Sequence, residues 1–104
     1  VDMSLEQQYE LVSDYGVVLE RCFQQPQKNG GWISNAARNL EAIRQLGAAN
    51  TILSTDCGDP AAPPWETAMR EYLQYMADHG VDSEALADMT RRLPAWLLGL
   101  EDAP

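Results

Sequence analysis

The sequence predicts an α/β fold in which two parallel strands are flanked by helices, and three observations carry that expectation. The stretch 51–58, TILSTDCG, is a short apolar run led by a β-branched Thr51, closed by the polar Ser54, Thr55 and Asp56 and broken by Gly58. A second apolar run, 17–23, holds Val17, Val18, Leu19 and Phe23 and has the length and β-branching of a buried strand. Between them, Ala36, Ala37, Leu40, Ile43 and Leu46 recur at helical spacing and stop at Gly47. Strand, helix and strand in that order form one βαβ unit with a right-handed crossover.

The other elements follow from local signals. Ser4-Leu5-Glu6-Gln7 fits a capping box, and Leu5, Tyr9, Leu11 and Val12 stripe the helix behind it, which Gly16 ends. Along strand 17–23 alternation puts Val17 and Leu19 on one face and Val18, Glu20 and Cys22 on the other. Residues 24–32, punctuated by Pro26 and the Gly30-Gly31 pair, read as a loop. Ser34 or Asn35 caps the next helix. In strand 51–58, Ile52, Ser54 and Asp56 share one face, Leu53 and Thr55 the other. The run 59–64, DPAAPP, is too proline-rich for helix. A long helix begins at Pro64 or Trp65 with Met69, Tyr72, Leu73 and Met76 as its apolar face, and Gly80 ends it. Asp82 or Ser83 caps a fourth helix carrying Leu86, Met89 and Leu93. Pro94 starts a last apolar turn over 95–100, before an acidic tail.

Composition bounds the function. The chain has 104 residues, 45% of them hydrophobic, enough for one globular domain. Sixteen acidic against seven basic residues give a net charge of -9, which argues against nucleic acid and anionic membrane surfaces as partners. No apolar run has the length of a transmembrane helix, and the polar start VDMSLEQQ is unlike a signal peptide. Two cysteines make no disulfide framework, so a reducing cytoplasm is the expected location. The first residue is Val, consistent with a piece of a longer chain.

Two parallel strands make a poor sheet by themselves. Parallel strands want neighbours at both edges and helices on both faces, so these two open edges invite the rest of a barrel or a second copy of the chain. In parallel sheets chemistry gathers at the carboxyl ends of the strands, and the carboxylate there is Asp56. Two readings stand side by side: a cap for the following loop, or a metal ligand and general base. Glu20 points to the same end, either toward substrate or into a salt bridge with a neighbouring arginine. Trp32 and Trp65 either wall a substrate pocket or pack on helices. Cys22 and Cys57 read as buried free thiols in preference to a zinc pair. His79 reads as a solvent-facing cap at a helix end.

The run from Ile43 to Pro60, IRQLGAANTILSTDCGDP, and the closing RRLPAWLLGL resemble the C-terminal part of the amidohydrolase superfamily of metal-dependent TIM-barrel hydrolases. In that family a helix leads into the eighth strand, which ends in Ser/Thr-Asp-x-Gly, matched here by Thr55-Asp56-Cys57-Gly58. The closing Pro94-Ala95-Trp96-Leu97-Leu98-Gly99-Leu100 matches the family's final turn, with Leu93 where the family often has Asn. The resemblance implies that residues 1–104 are the last two βα units of a (β/α)8 barrel, a fold of about 250 residues. It implies that Asp56 binds a divalent metal, zinc first among them, and is the catalytic acid/base for a metal-activated water attacking a small-molecule substrate. The family's histidine ligands lie on earlier strands, so this chain alone is expected to be inactive. The opposing expectation is a small acidic protein–protein interaction module with Trp96, Leu97, Leu98 and Leu100 as its docking strip.

Overall fold

A computed structural model describes residues 3–104 of the chain. Helix α1 (Leu5–Tyr15) is followed by strand β1 (Leu19–Cys22), the short strands β2 (Gln24–Pro26) and β3 (Trp32–Ser34), helix α2 (Ala36–Leu46), strand β4 (Thr51–Ser54) and the long helix α3 (Trp65–Asp78). The chain closes with α4 (Ser83–Ala87), a π-helical segment (Asp88–Arg92) and α5 (Leu93–Leu97).

The predicted βαβ unit is present. Strands β1 and β4 pair in parallel, Leu19 opposite Thr51 and Cys22 opposite Ser54. Both are shorter than the sequence suggested, for local reasons. Val17 is drawn into the end of α1, its N–H reaching the Leu11 carbonyl at 3.4 Å, and its own carbonyl accepts from Asn50 Nδ2 at 3.3 Å. At the far end Asp56 takes a left-handed backbone with φ 55°, which ends the extended run before Gly58. No third strand joins the pair among the described residues.

Residues 24–32 are not simply a loop. Gln24–Pro26 and Trp32–Ser34 form an antiparallel hairpin, Gln25 opposite Ile33. Its tip closes through Gln27 N–H to Gly31 O at 2.7 Å and through Gly31 N–H to Asn29 Oδ1 at 3.0 Å. Pro26 stands at the outer end of its strand, where no ladder donor is required. The last helices also depart from expectation. The backbone runs helically from Ser83 to Leu97, and the Leu93 N–H reaches back five residues to Asp88 O. Pro94 has no N–H and its ring crowds the preceding turn; the wider π turn just before it relieves that crowding.

The termini of α1 and α4 match the sequence signals, whereas Asn35 at the start of α2 makes no capping bond and turns its side-chain amide to the Cys22 carbonyl. Ser4 and Gln7 exchange both capping-box bonds, at 3.0 and 3.1 Å, and Gly16 closes α1 with φ 64°, a conformation in which glycine carries no Cβ penalty. Asp82 caps α4 by accepting from Ala85 N–H at 2.8 Å.

The core lies on one face of the parallel pair. Phe23 and Leu53 pack there with Leu40 and Ile43 of α2, Ala68, Tyr72 and Met76 of α3, and Met89 of the π segment. Phe23 and Tyr72 sit with ring centroids 5.2 Å apart in a tilted pair. Tyr72 is fully buried, and its hydroxyl donates to the Arg21 carbonyl of β1 at 2.9 Å. Asn39 Nδ2 donates both to Tyr72 Oη at 2.8 Å and to the Cys22 carbonyl at 3.0 Å. One tyrosine and one asparagine thus tie α3, α2 and β1 together.

Burial holds the Tyr72 phenol well above its ordinary value of 10.0, against the opposing pull of the Asn39 bond. A raised phenol pKa contributes stability that is complete below pH 10 and lost as pH climbs from there toward the folded-state value. Tyr72→Phe removes the hydroxyl, leaves one Asn39 N–H without its acceptor and takes one of two bonds from the Arg21 carbonyl, which the parallel register still pairs with the Ser54 N–H. It should cost about 1–3 kcal/mol in chemical denaturation at pH 7, and should flatten the fall in stability above pH 10 seen in the parent protein.

Candidate functional site

The opposite face of the pair carries the polar residues. Glu20 stands beside Ile52, and Cys22 beside Ser54. Ser54 Oγ donates to Glu20 Oε2 at 2.7 Å, which uses its one proton. The contact between Cys22 Sγ and Ser54 Oγ at 3.3 Å is then a thiol donating to a hydroxyl. Burial pushes the Cys22 thiol up; the Ser54 bond opposes this, and the charges of Glu20 and Asp56 add to it. Such a group is a protonated thiol at neutral pH and not an activated nucleophile.

Asp56 follows β4 at the carboxyl end of the pair, as expected, but its side chain is exposed and accepts no hydrogen bond among the described residues. The left-handed backbone turns it outward. The loop-capping role falls instead to Asp59, whose Oδ1 accepts from Ala61 N–H at 2.8 Å. The Asp56 carbonyl receives a short hydrogen bond from Gln24 Nε2.

Glu20 and Asp56 open onto one cleft of about 420 Å³, lined also by Gln8, Arg21, Cys22 and Gln24. All four residues of β1 contribute to it, together with Gln25, Pro26, Asn35 and Asn39. Because side chains alternate along a strand, a cleft touching four consecutive residues runs along the strand's edge and not over one face. This is the edge of β1 that β4 leaves uncovered.

The other predicted site residues lie elsewhere. Trp32 packs on Phe23 with centroids 5.8 Å apart and lines a separate groove between the hairpin and α3. Trp65 is 63% exposed at the start of α3 and borders neither cavity. His79 ends α3, exposed, its Nδ1–H donating to Tyr75 O at 2.7 Å and its ring stacked on Tyr75 at 4.1 Å. Both cysteines are free and half-buried.

The residue that the sequence reading passed over is Arg21. It is 7% exposed, on the core side of β1. Nη1 donates to Gln8 Oε1 at 2.9 Å, while Nε and Nη2 are buried without a partner. Burial pulls its pKa down, partly offset by Tyr72, yet a guanidinium stays charged. Gln24, 3% exposed, likewise has a buried Oε1 without a partner. A charged residue between Leu19 and Phe23 on an apolar strand face was the available signal.

Family models, characterised proteins and solved structures yield no match to this chain. The site therefore stands on its own geometry. Among the described residues no three His, Cys, Asp or Glu side chains come together to hold a metal ion, and a catalytic zinc needs three protein ligands. The described residues do not by themselves complete such a centre. Titrating the purified chain with zinc should leave its melting temperature unchanged. A site filled at a hundredfold excess over its Kd would add about 2.7 kcal/mol; a rise of that order, abolished by Asp56→Asn, would restore the metal at Asp56.

Proposed function

We propose that this chain is a binding domain for a small polar molecule, seated in the cleft along the outer edge of β1. The observation that carries this reading is the lining itself. Side-chain amides from Gln8, Gln24, Asn35 and Asn39, the buried Arg21 and the exposed carboxylates of Glu20 and Asp56 converge on one concavity. A concave site with a few convergent polar groups is the usual form of a small-molecule pocket. Among the described lining residues the Cys22 thiol is held protonated, and binding is the function we assign to the cleft.

The hydrolase reading keeps a narrower place. In a longer chain β1 and β4 would be the last two strands of a barrel, with Asp56 at the mouth and other strands supplying the remaining ligands. The parallel pairing and the position of Asp56 support it; the missing ligands keep it from being a function of residues 1–104. Mapping by two-dimensional NMR with the neutral probe propionamide tests the primary reading. Saturable shifts should centre on Glu20, Cys22, Asn39 and Asp56; shifts confined to the Trp32 groove would refute it.

A second reading rests on a different surface. Trp96, Leu97, Leu98 and Leu100 are 42%, 48%, 74% and 75% exposed in the order Trp96, Leu97, Leu100, Leu98. Four large apolar side chains within five residues form a strip suited to a protein partner or a second copy. Sedimentation velocity should then show association that grows with protein concentration and disappears in the Leu98→Asp/Leu100→Asp double variant. A parent protein that is monomeric at every concentration would rule out self-association through this strip.

A further inference from the structure

We propose that the cleft takes a small zwitterion of the amino-acid class, its carboxylate on Arg21 and its amine toward Gln24 and the carboxylates of Glu20 and Asp56. The inference rests on the cleft reading above and adds the ligand's chemistry. Two buried side chains lining the cleft are incompletely satisfied, and they are of opposite polarity. Arg21 holds two N–H bearing nitrogens without partners, and Gln24 holds an acceptor oxygen without one. The orientation of the Gln24 amide is fixed by its Nε2 donating to Asp56 O, so the bare atom is the acceptor.

A buried guanidinium without a carboxylate is costly to keep, and a native chain keeps such a group where something else balances it. No carboxylate of the described residues pairs with Arg21; its one side-chain partner is the neutral Gln8. Arg21 also separates the cleft from a second void of about 230 Å³, lined by Gln8, Arg38, Asn39 and Glu41. Arg21 therefore borders a cavity on each side, and a ligand in the cleft reaches its buried Nε and Nη2 only if the guanidinium turns toward it. A planar carboxylate matches two guanidinium nitrogens in parallel.

The cleft also selects against other anions. Its wall carries two cations, Arg21 and Arg38, against the two carboxylates of Glu20 and Asp56, and this balance together with the net charge of -9 favours a ligand without net charge over a dianion such as phosphate. The same carboxylates attract an ammonium group. A single negative charge at one end and a positive donor at the other fits both halves. The volume of about 420 Å³ admits a molecule of amino-acid size with room to spare.

The test is an NMR titration of the full chain, following the Arg21 Nε–H and Gln24 side-chain amide signals. The probes are glycine, acetate, methylammonium, propionamide and inorganic phosphate. Glycine should shift both signals saturably and bind more tightly than acetate, methylammonium or phosphate. Arg21→Met should weaken glycine binding by about ten- to a hundredfold, the loss expected for a charge-assisted bond. It should leave the melting temperature of the free protein unchanged or higher, because an unbalanced buried charge is gone. A lower melting temperature with glycine binding retained would make Arg21 structural and overturn the proposal. Should Arg21→Met not fold, the signals of the parent protein still decide. If propionamide binds and Arg21 stays silent to glycine, the cleft stands and the zwitterion falls. If no probe moves any cleft residue, both fall. Tighter binding of phosphate than of glycine would also overturn it.

Discussion

The hydroxyl of Tyr72 is the point on which the fold turns. It donates to the Arg21 carbonyl and accepts from Asn39, which in turn also holds the Cys22 carbonyl. A two-stranded parallel sheet is marginal when left alone. Here two carbonyls of β1 are bonded by side chains from the two helices that pack on it. The helices are held in place by apolar contacts around Phe23, Leu40 and Met76, but apolar contacts are not directional. The three bonds through Tyr72 and Asn39 supply the direction, fixing how α2 and α3 sit against the strand.

What the sequence shows of this arrangement depends on how local its cause is. The capping box at Ser4, the stop at Gly16, the helical spacing of Leu40 and Ile43 and the apolar run at Ile52 and Leu53 all act within a few residues. The parallel pairing of β1 and β4 follows from their order and the helix between them. The hairpin did not show, because QQP and WIS are three-residue strands without room for an alternating pattern, and Pro26 argues against a strand. Its closure depends on Gln27, Asn29 and Gly31 meeting at the tip. The π segment hid for a similar reason: Pro94 reads locally as a start, whereas the packing of Met89 and Leu93 keeps one helical path through it. Asp56 stands at the strand end that the sequence indicates, but the left-handed backbone that ends the strand there leaves no mark in the composition around it.

Arg21 is the instructive case for the site. By alternation it shares a face with Leu19 and Phe23, so a charged residue falls where an apolar one belongs. A sequence scan for paired carboxylates and metal ligands weights Glu20 and Asp56, which are exposed, over the one charge that folding had to desolvate. Consistency between local pattern and fold is the rule for most positions, and departures from it tend to gather where function overrides stability. Here the departure is visible once burial is known: the exposed carboxylates cost little wherever they lie, whereas the buried guanidinium must be held by the structure around it.

The uncovered edge of β1 is where the fold and the site meet. An uncovered sheet edge presents unpaired backbone groups and is a hazard for association. In this chain Asn35 and Asn39 both direct side-chain amides at the Cys22 carbonyl, at 3.4 and 3.0 Å, which occupies one of the acceptors that an incoming strand would use. The edge is thereby turned from a template for another strand into the wall of a cleft lined by polar side chains. The same Asn39 that completes the Tyr72 knot also shields that edge, so the bond that sets the fold and the surface that forms the site share one residue. A ligand in the cleft lies against a strand whose position is already fixed from the other side by α2 and α3, and a wall fixed in this way needs little reordering when a molecule binds, which lowers the entropic cost of binding.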